Sequence, residues 1–418
     1  MCRLTGIESE SENASAYRDL FAEPGVRWLF GLGVLGRTPS GMIVLLIVLV
    51  LQQATGGYTV AGQVGGALAA GLAFLTPFRA RLVDRRGARP VLISSGISHA
   101  LSLALLWPLA ELGAPSPLLI VVGLVIGATM PPTGVVMRSA WSRLLPDERR
   151  RRAAFTAESL AVQSTLLVGP LLVSALTVTV GAGAGLLCCA VLTLVSSLAL
   201  GLSARLTEVM RPGPQAAAVA HWTGALRTRA VWLSLPGGFA LFAAITALEI
   251  AATGEAVEAS AAWAAGWLIA GFAVGGLGGG LAWGWRAWPG RLPWQLAAMH
   301  AFFVVIVAVL ALRLPLPAVA ALLFVAGVMA PPAMTAQFSV LDAVVPRAVT
   351  TEAFGWLSSA RQAGSAAAAA VAGAAIDALG PRGGWLVAMA AAVFATVASI
   401  GLLWTDDSAR EGSIDERG

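Results

Sequence analysis

The sequence predicts an all-α polytopic membrane protein, with twelve transmembrane helices in two pseudo-symmetric six-helix bundles. Three observations carry that expectation. Charged residues make up only 12% of the 418-residue chain and hydrophobic ones 57%, with a mean hydropathy of +0.80, whereas a soluble domain carries roughly 25% charge. Apolar runs long enough to cross a bilayer recur along the whole chain, and a segment near residue 130 reappears near residue 330. So few charges could not cover a soluble surface of this size, and the same figures exclude disorder. Three cysteines, Cys2, Cys188 and Cys189, do not make a disulfide scaffold.

Taken in order, residues 1–27 are an N-terminal tail in which five carboxylates and no apolar run argue against a cleavable signal peptide. Cys2 lacks a lipoprotein signal before it and reads as a free thiol. Apolar spans follow at 28–53, 58–79, 90–111, 117–138, 153–177 and 183–204, which form the first bundle, 28–204. Residues 205–229, with Pro212, Pro214, four arginines and His221, make a central loop. The second bundle, 230–404, holds spans at 230–251, 261–285, 294–313, 316–338, 353–377 and 382–404, and 405–418 is a C-terminal tail. At ~1.5 Å per residue such runs cross a ~30 Å hydrocarbon core as helices. Barrel strands would be shorter and alternating.

All 27 basic residues are arginine, and they test the count of spans. With twelve helices, both termini and the loops after even-numbered helices share one side. That side collects 23 of the 27, among them Arg3, Arg18, Arg27, the run from Arg79 to Arg89, Arg138, Arg143, Arg149 to Arg152, Arg205, Arg211, Arg227, Arg229, Arg286, Arg291, Arg347, Arg410 and Arg417. The other side has Arg313 and Arg382, and Arg37 and Arg361 lie within spans. Cytoplasmic loops accumulate arginine, so both termini are expected in the cytoplasm of a cell with the protein in its inner (plasma) membrane. The net charge of +5 and pI near 10 therefore report topology and no nucleic-acid partner.

Residues 127–146, GATMPPTGVVMRSAWSRLLP, lie over 327–346, GVMAPPAMTAQFSVLDAVVP, at an offset of 200. Pro131, Pro132 and Pro146 match Pro331, Pro332 and Pro346; one residue later in register Phe155, Ser159 and Gln163 match Phe354, Ser358 and Gln362. Helices 4 and 5 thus repeat as 10 and 11. Double prolines remove backbone donors, and the expectation is a matching break in helices 4 and 10, both lining a shared cavity.

The loop after helix 2 reads PFRARLVDRRGARPVL, residues 77–92. It resembles the signature of the major facilitator superfamily, Gly-x-Leu-Ala-Asp-Arg-x-Gly-Arg-Lys, through Leu82, Asp84, Arg85, Gly87 and Arg89. Ala80 stands where the signature has its leading glycine. The resemblance implies two bundles rocking about a midplane site, with Asp84, Arg85, Gly87 and Arg89 as a conformational latch that closes the cytoplasmic side. The second-half counterpart, 284–294, keeps Arg286, Gly290 and Arg291 but has no aspartate. Gly169-Pro170 in helix 5 resembles the core of the antiporter motif of drug–proton exporters, without its other glycines. The arginine that many proton-coupled exporters carry early in helix 4 is absent, Arg138 coming only at the cytoplasmic end.

An ionisable group at membrane depth needs a partner or a reason. Arg37 and Arg361 read either as ion-paired structural residues, with Glu158 the partner for Arg37 or Arg138, or as cavity residues that bind an anionic or polar substrate. Gln163 and Gln362 join them as substrate-binding candidates. Glu158 is the candidate proton carrier. Glu249, Glu255 and Glu258 read as a solvated rim, and His99 and His300 as packed residues of peripheral helices. Small-residue stripes on helices 2 (Gly62, Gly65, Gly66, Gly71) and 8 (Gly271, Gly275, Gly276, Gly278 to Gly280) suit an interface that slides. Tryptophans around helix 8 suit interfacial anchors.

No phosphate-binding loop, metal cluster or catalytic constellation is legible, so neither an enzyme nor a cofactor is expected. The reading is a secondary active transporter, exporting a small organic molecule in exchange for protons by alternating access, with the lipid bilayer as solvent and the protein a monomer. Import of a small anionic nutrient is the alternative within the class. A non-transporting sensor or assembly protein on the same scaffold is the alternative outside it.

Overall fold

The computed structural model describes residues 18–57, 59–212, 224–261, 263–285, 288, 290–312 and 314–415. Cys2, Arg3, His221, Arg286, Arg313 and Arg417 lie outside the described residues. Among the described residues, twelve helices are long and apolar enough to cross a membrane: α1 (Val26–Thr55), α2 (Thr59–Arg86), α3 (Ala88–Glu111), α4 (Ser116–Leu144), α5 (Glu148–Thr179), α6 (Ala182–Leu202), α7 (Val231–Glu258), α8 (Ala264–Gly284), α9 (Leu292–Leu310), α10 (Leu316–Val344), α11 (Arg347–Leu379) and α12 (Pro381–Gly401). Helix continues from α12 to Asp415. The protein is a multi-pass membrane protein.

Within each half the same packing recurs. α2 lies on α4 and α8 on α10, each pair at backbone contact through glycines. A side chain on Gly71 would strike the carbonyl of Leu124, and one on Gly275 that of Phe324. Gly127 sits against Leu68, and Gly327 against Phe272. Leu124 and Phe324 are 200 apart, as are Gly127 and Gly327, whereas Gly71 and Gly275 are 204 apart. The repeat therefore includes α2 and α8 with about one extra turn of sequence between them and their partners. The glycines of α8 divide by face: Gly275 and Gly279 serve α10, while Gly276 and Gly280 turn to Gln163 and Leu160 of α5, across the halves. On α2, Gly62, Gly65 and Gly66 have no neighbour within 4 Å of where a side chain would begin.

Two apolar clusters belong to one half each, and a third joins both halves at the arginine-rich end. That third cluster holds Phe155, Phe338 and Phe354, whose ring centroids are 5.9 to 6.1 Å apart. Phe155 and Phe354 occupy equivalent repeat positions. Residues related by a two-fold can touch only on its axis, so this triad marks the pseudo-two-fold.

Candidate functional site

Two helices lose their regular backbone beside one cavity, which both breaks line. In α1 the helix ends at Arg37, a single 3-10 turn runs Thr38–Gly41, and helix resumes at Ile43. Pro39 supplies no amide donor, and Gly41 meets the Thr165 carbonyl of α5 so closely that a side chain there would be 2.5 Å from it. Side chains at the break bond back to the preceding turn, Thr38 Oγ1 donating to the Val34 carbonyl (3.1 Å), which also accepts the Thr38 amide, and Ser40 Oγ to the Arg37 carbonyl (2.6 Å). In α4 the helix ends at Thr129, and Met130, Pro131 and Pro132 are irregular before helix restarts at Thr133. Arg79 of α2 reaches into this gap, donating to the Met130 carbonyl and, at 3.4 Å, to that of Gly127. Its charge faces the negative end of the half-helix Ser116–Thr129.

The expected matching break in α10 does not occur. Helix runs unbroken from Leu316 to Val344 through Pro331 and Pro332. The glycine contacts place Trp283 of α8 where α2 has Arg79, and an indole cannot serve two carbonyls as a guanidinium does; the Trp283 Nε1 is itself without a partner. Irregular backbone at membrane depth survives only where it is satisfied or lines a cavity, and α4 meets both conditions.

A cavity of about 260 Å³ is lined by the α1 and α4 breaks, Phe242 of α7, Met334 and Phe338 of α10, and Ser358, Arg361 and Gln362 of α11. Three guanidinium groups stand around it. Arg37, 7% exposed, forms a buried ion pair with Glu158, which is 1% exposed and lies behind it. The other Glu158 oxygen accepts from Trp141 Nε1 at 2.9 Å. Arg138 donates to Ser358 Oγ at 3.0 Å and lies 4.6 Å from the Phe338 ring centre. Arg361 lies 4.2 Å from the same ring and 5.2 Å from Phe242, and donates to Gln337. Glu158 is the carboxylate among them.

Of the residues singled out in the sequence, Arg37, Arg361 and Gln362 line the cavity and Glu158 stands directly behind Arg37. Gln163 does not line it; its amide points to Gly276 of α8, and its neighbour Val162 faces the cavity instead. Arg138, read from the sequence as a residue of the arginine-rich end, is a wall of the cavity and belongs with Arg37 and Arg361. The signal was available in the repeat: Arg138 falls on Phe338, and a charge opposite an aromatic at equivalent positions marks a contact near the axis. Trp141 carried no such signal. His99 and His300 are buried against the Ile126 and Ala395 carbonyls, with Ser399 also bonded to His300.

Comparison with known proteins decides the family. The Major Facilitator Superfamily matches residues 29–312, two thirds of the chain. The chain belongs to the Major Facilitator Superfamily. No curated protein matches it in sequence. Among solved structures it is similar to a bacterial homologue of the iron transporter ferroportin in its outward-facing state, with TM-score 0.74, 15% identity, and 90% of this chain against 98% of that one. It is similar to the fucose:proton symporter of Escherichia coli, with TM-score 0.71, 16% identity, and 90% against 97%. The human organic anion transporter MFSD10 aligns at TM-score 0.68 and 15% identity, with 90% against 98%. At these identities the likeness shows the fold, that of a facilitator-type transporter.

In this facilitator the bonds between halves gather below the cavity, at the arginine-rich end. Asp84 accepts from Arg143 Nη2 of α4 at 2.8 Å and from the backbone amide of Glu352 at 2.8 Å. Glu352 is in the first turn of the helix Thr350–Leu379, so the carboxylate also sits at a positive helix end. Gly87, with φ of 84°, turns the chain between α2 and α3. Arg85 and Arg89 are exposed, and the charge that meets Asp84 is that of Arg143. A second cluster, not legible in the sequence, centres on Asp342 at the end of α10. It pairs with Arg151 at 2.8 Å and accepts from Ser142, its own repeat counterpart. Arg347 donates to the Ser142 carbonyl at 2.9 Å, and Thr351 to Ser139 at 2.7 Å. The second-half loop lacks an aspartate, and α10 supplies one from its own end.

The departure at Ala80 also has a structural counterpart. Ala80 is fully buried where α2 crosses α11, and the residue facing it is Gly355, whose added side chain would lie 2.6 Å from the Ala80 methyl. The small residue that lets the two helices close is on α11 instead of α2.

Proposed function

We propose that this facilitator is a secondary active transporter that moves a small organic anion by alternating access, coupled to protons through Glu158. The observation that carries the reading is the charge around the cavity: Arg37, Arg138 and Arg361 against one carboxylate, already engaged by Arg37 and Trp141. A surplus of buried guanidinium charge is costly without a counter-charge, and an anionic solute supplies it. The bundles 28–204 and 230–404 rock about the pseudo-two-fold. The arginine-rich face is taken as cytoplasmic, in a bacterial inner membrane, so that the conformation here is closed inside.

An anion that engages Arg37 competes with Glu158 for it. A carboxylate freed at that depth is left without a counter-charge, and a proton on Glu158 removes that cost. Anion and proton then bind together, the arrangement for movement in the same direction. This favours uptake of an anion over the proton-driven export that Gly169-Pro170 suggests. Export keeps one observation of its own, since Gly169 packs at backbone contact on Gly41 of the α1 break and could relay a change in α5 to the cavity.

Reconstituted vesicles under an imposed pH gradient test the reading. Labelled organic anions should accumulate on the alkaline side, and Glu158→Gln should abolish the response to the gradient while exchange of internal for external anion persists. Accumulation driven in the opposite sense would establish export. Vesicles that move no solute from a panel of anions, cations and neutral compounds would support a non-transporting role. Gradient-driven transport retained in Glu158→Gln would remove Glu158 from the coupling step.

A further inference from the structure

We propose that the solute is a dianion: a small organic compound with one acid group held between Arg37 and Arg138 over Gly134 and a second held by Arg361. The proposal rests on the anion-transport reading and narrows its substrate class.

The first seat is defined by Gly134. A side chain there would lie 3.2 Å from Arg37 Nε and 3.4 Å from Arg138 Nη1, so the two guanidinium groups converge on the space that glycine leaves empty. Both arginines are more than nine-tenths buried. Yet Arg37 Nε and Nη1 and Arg138 Nε have no acceptor, although Glu158 holds Arg37 from behind. Buried N–H groups of a charged side chain are costly to leave unmet, and two guanidinium groups at this spacing repel. An oxyanion between them answers both. The equivalent position in the second half is Met334, which fills the corresponding space with a side chain. The seat is therefore a property of one half and not of the repeat.

The second seat follows from Phe338. Arg138 and Arg361 approach the same ring at 4.6 and 4.2 Å, so the two cations are separate groups no farther apart than the sum of those distances. Two acid groups joined by a short carbon chain can engage both cations at once, one at the Gly134 seat and one at Arg361. The charge count agrees. Two positive charges face the cavity while Glu158 is ionised, and three once the anion takes Arg37 and Glu158 is protonated; Arg79 below is met by the α4 carbonyls. A monoanion would leave at least one of those charges uncompensated when the cavity closes over it. Dicarboxylates and organic phosphates share the required chemistry.

Binding to the full-length protein in detergent tests this independently of transport. Probes are linear dicarboxylates of three to six carbons, glycerol phosphate, inorganic phosphate, and the monocarboxylates of equal carbon number, read by thermal stabilisation and by calorimetry. A dianion of fitting length should bind at least about tenfold tighter than its monoacid, the order of one charge-assisted contact. Arg361→Gln should reduce that ratio to near one while leaving monoacid affinity within about twofold. Gly134→Ala, whose methyl meets only the movable ends of two arginines, should weaken both kinds of probe by about tenfold without lowering the melting temperature of the free protein. The organic phosphate and dicarboxylate arms separate the two sources of the second charge. Equal affinity for monoacids and diacids, or unchanged binding in Gly134→Ala, would overturn the proposal. Dianion binding without transport in vesicles would instead count against the transporter reading and leave the two seats standing.

Discussion

Replacing Gly355 with alanine should drive the protein out of the conformation described here. The new methyl would sit 2.6 Å from the Ala80 methyl and 3.0 Å from Pro77 Cα, where carbon atoms in contact prefer ~3.5–4.0 Å. Neither neighbour is the free end of a flexible side chain. One is a Cβ fixed to α2 and the other is α2 backbone, so the helices must separate. Overpacking of this kind costs about 1–3 kcal/mol, and the cost falls on the state in which α2 and α11 are closed together. At ~1.4 kcal/mol per factor of ten, the balance between the two states shifts by roughly five- to 150-fold toward opening at the arginine-rich face. Ser40 lines the cavity and is exposed; Ser40→Cys, in a chain whose native cysteines are replaced by serine, reports which face reaches it. Impermeant maleimide should label it more slowly from the opposite face and faster from the arginine-rich face once Gly355→Ala is added. Moving the small residue back, by combining Ala80→Gly with Gly355→Ala, removes the methyl–methyl clash and should recover most of the original pattern. A folded Gly355→Ala protein that labels as the parent does would refute the reasoning.

Asp84→Asn removes a buried charge from both Arg143 and the α11 amide; breaking such a pair costs about 3–5 kcal/mol, so labelling of Ser40→Cys should shift as with Gly355→Ala but further. Asp342→Ala should act in the same direction through Arg151 and Ser142. Because Arg143 also bonds the Arg347 carbonyl, the Asp84 and Asp342 clusters are joined, and the double substitution should fall short of additivity by more than ~0.5 kcal/mol. Arg79→Met leaves the Met130 carbonyl unmet, at about 1–3 kcal/mol, and leaves Gly127 only the 3.4 Å bond from the Met130 amide, which thermal melting of the purified protein should detect as a loss of several degrees. Trp283→Met, at the equivalent point on the unbroken side, should cost visibly less.

The architecture was legible because the bilayer imposes length and charge rules that read directly from sequence: twelve apolar runs and the placement of arginine follow from solvent alone. The repeat was legible through its prolines and through Phe155/Phe354. The site was legible only in part. Arg37 and Arg361 announced themselves because a charge inside an apolar run needs either an ion-pair partner or a cavity to face. Arg138 was hidden because it ends such a run, where arginine is ordinary. Its depth depends on the break at Met130–Pro132, which the double proline announces alike in both halves although only α4 breaks. The break in turn depends on Arg79, fifty-one residues away and looking in sequence like one more positive charge of a loop. Asp342 was missed for a related reason: the search for a second aspartate followed the loop equivalent to 77–92, and the chain supplies it from the end of α10.

These misses share a cause that also explains the site. Many residues on which the halves agree are structural: glycines joining α2 to α4 and α8 to α10, and the phenylalanines that meet on the axis. Where they differ, the first or second half carries chemistry the other lacks. Arg138 stands opposite Phe338, Arg361 opposite Val162, Glu158 opposite Leu357, Gly134 opposite Met334, and Arg79 opposite Trp283. Gly33 and Gly237 touch the equivalent residues Met137 and Gln337, which sets Arg37 opposite Leu241. Five of these six exchanges replace an apolar residue by a charged one, and the sixth removes a side chain where two of the charges converge. A symmetric cavity would double every charge, and four more guanidinium groups could not be neutralised in so small a space. The repeat builds the scaffold that both halves share. A site that binds one solute in one orientation requires that the symmetry fail at the residues touching it.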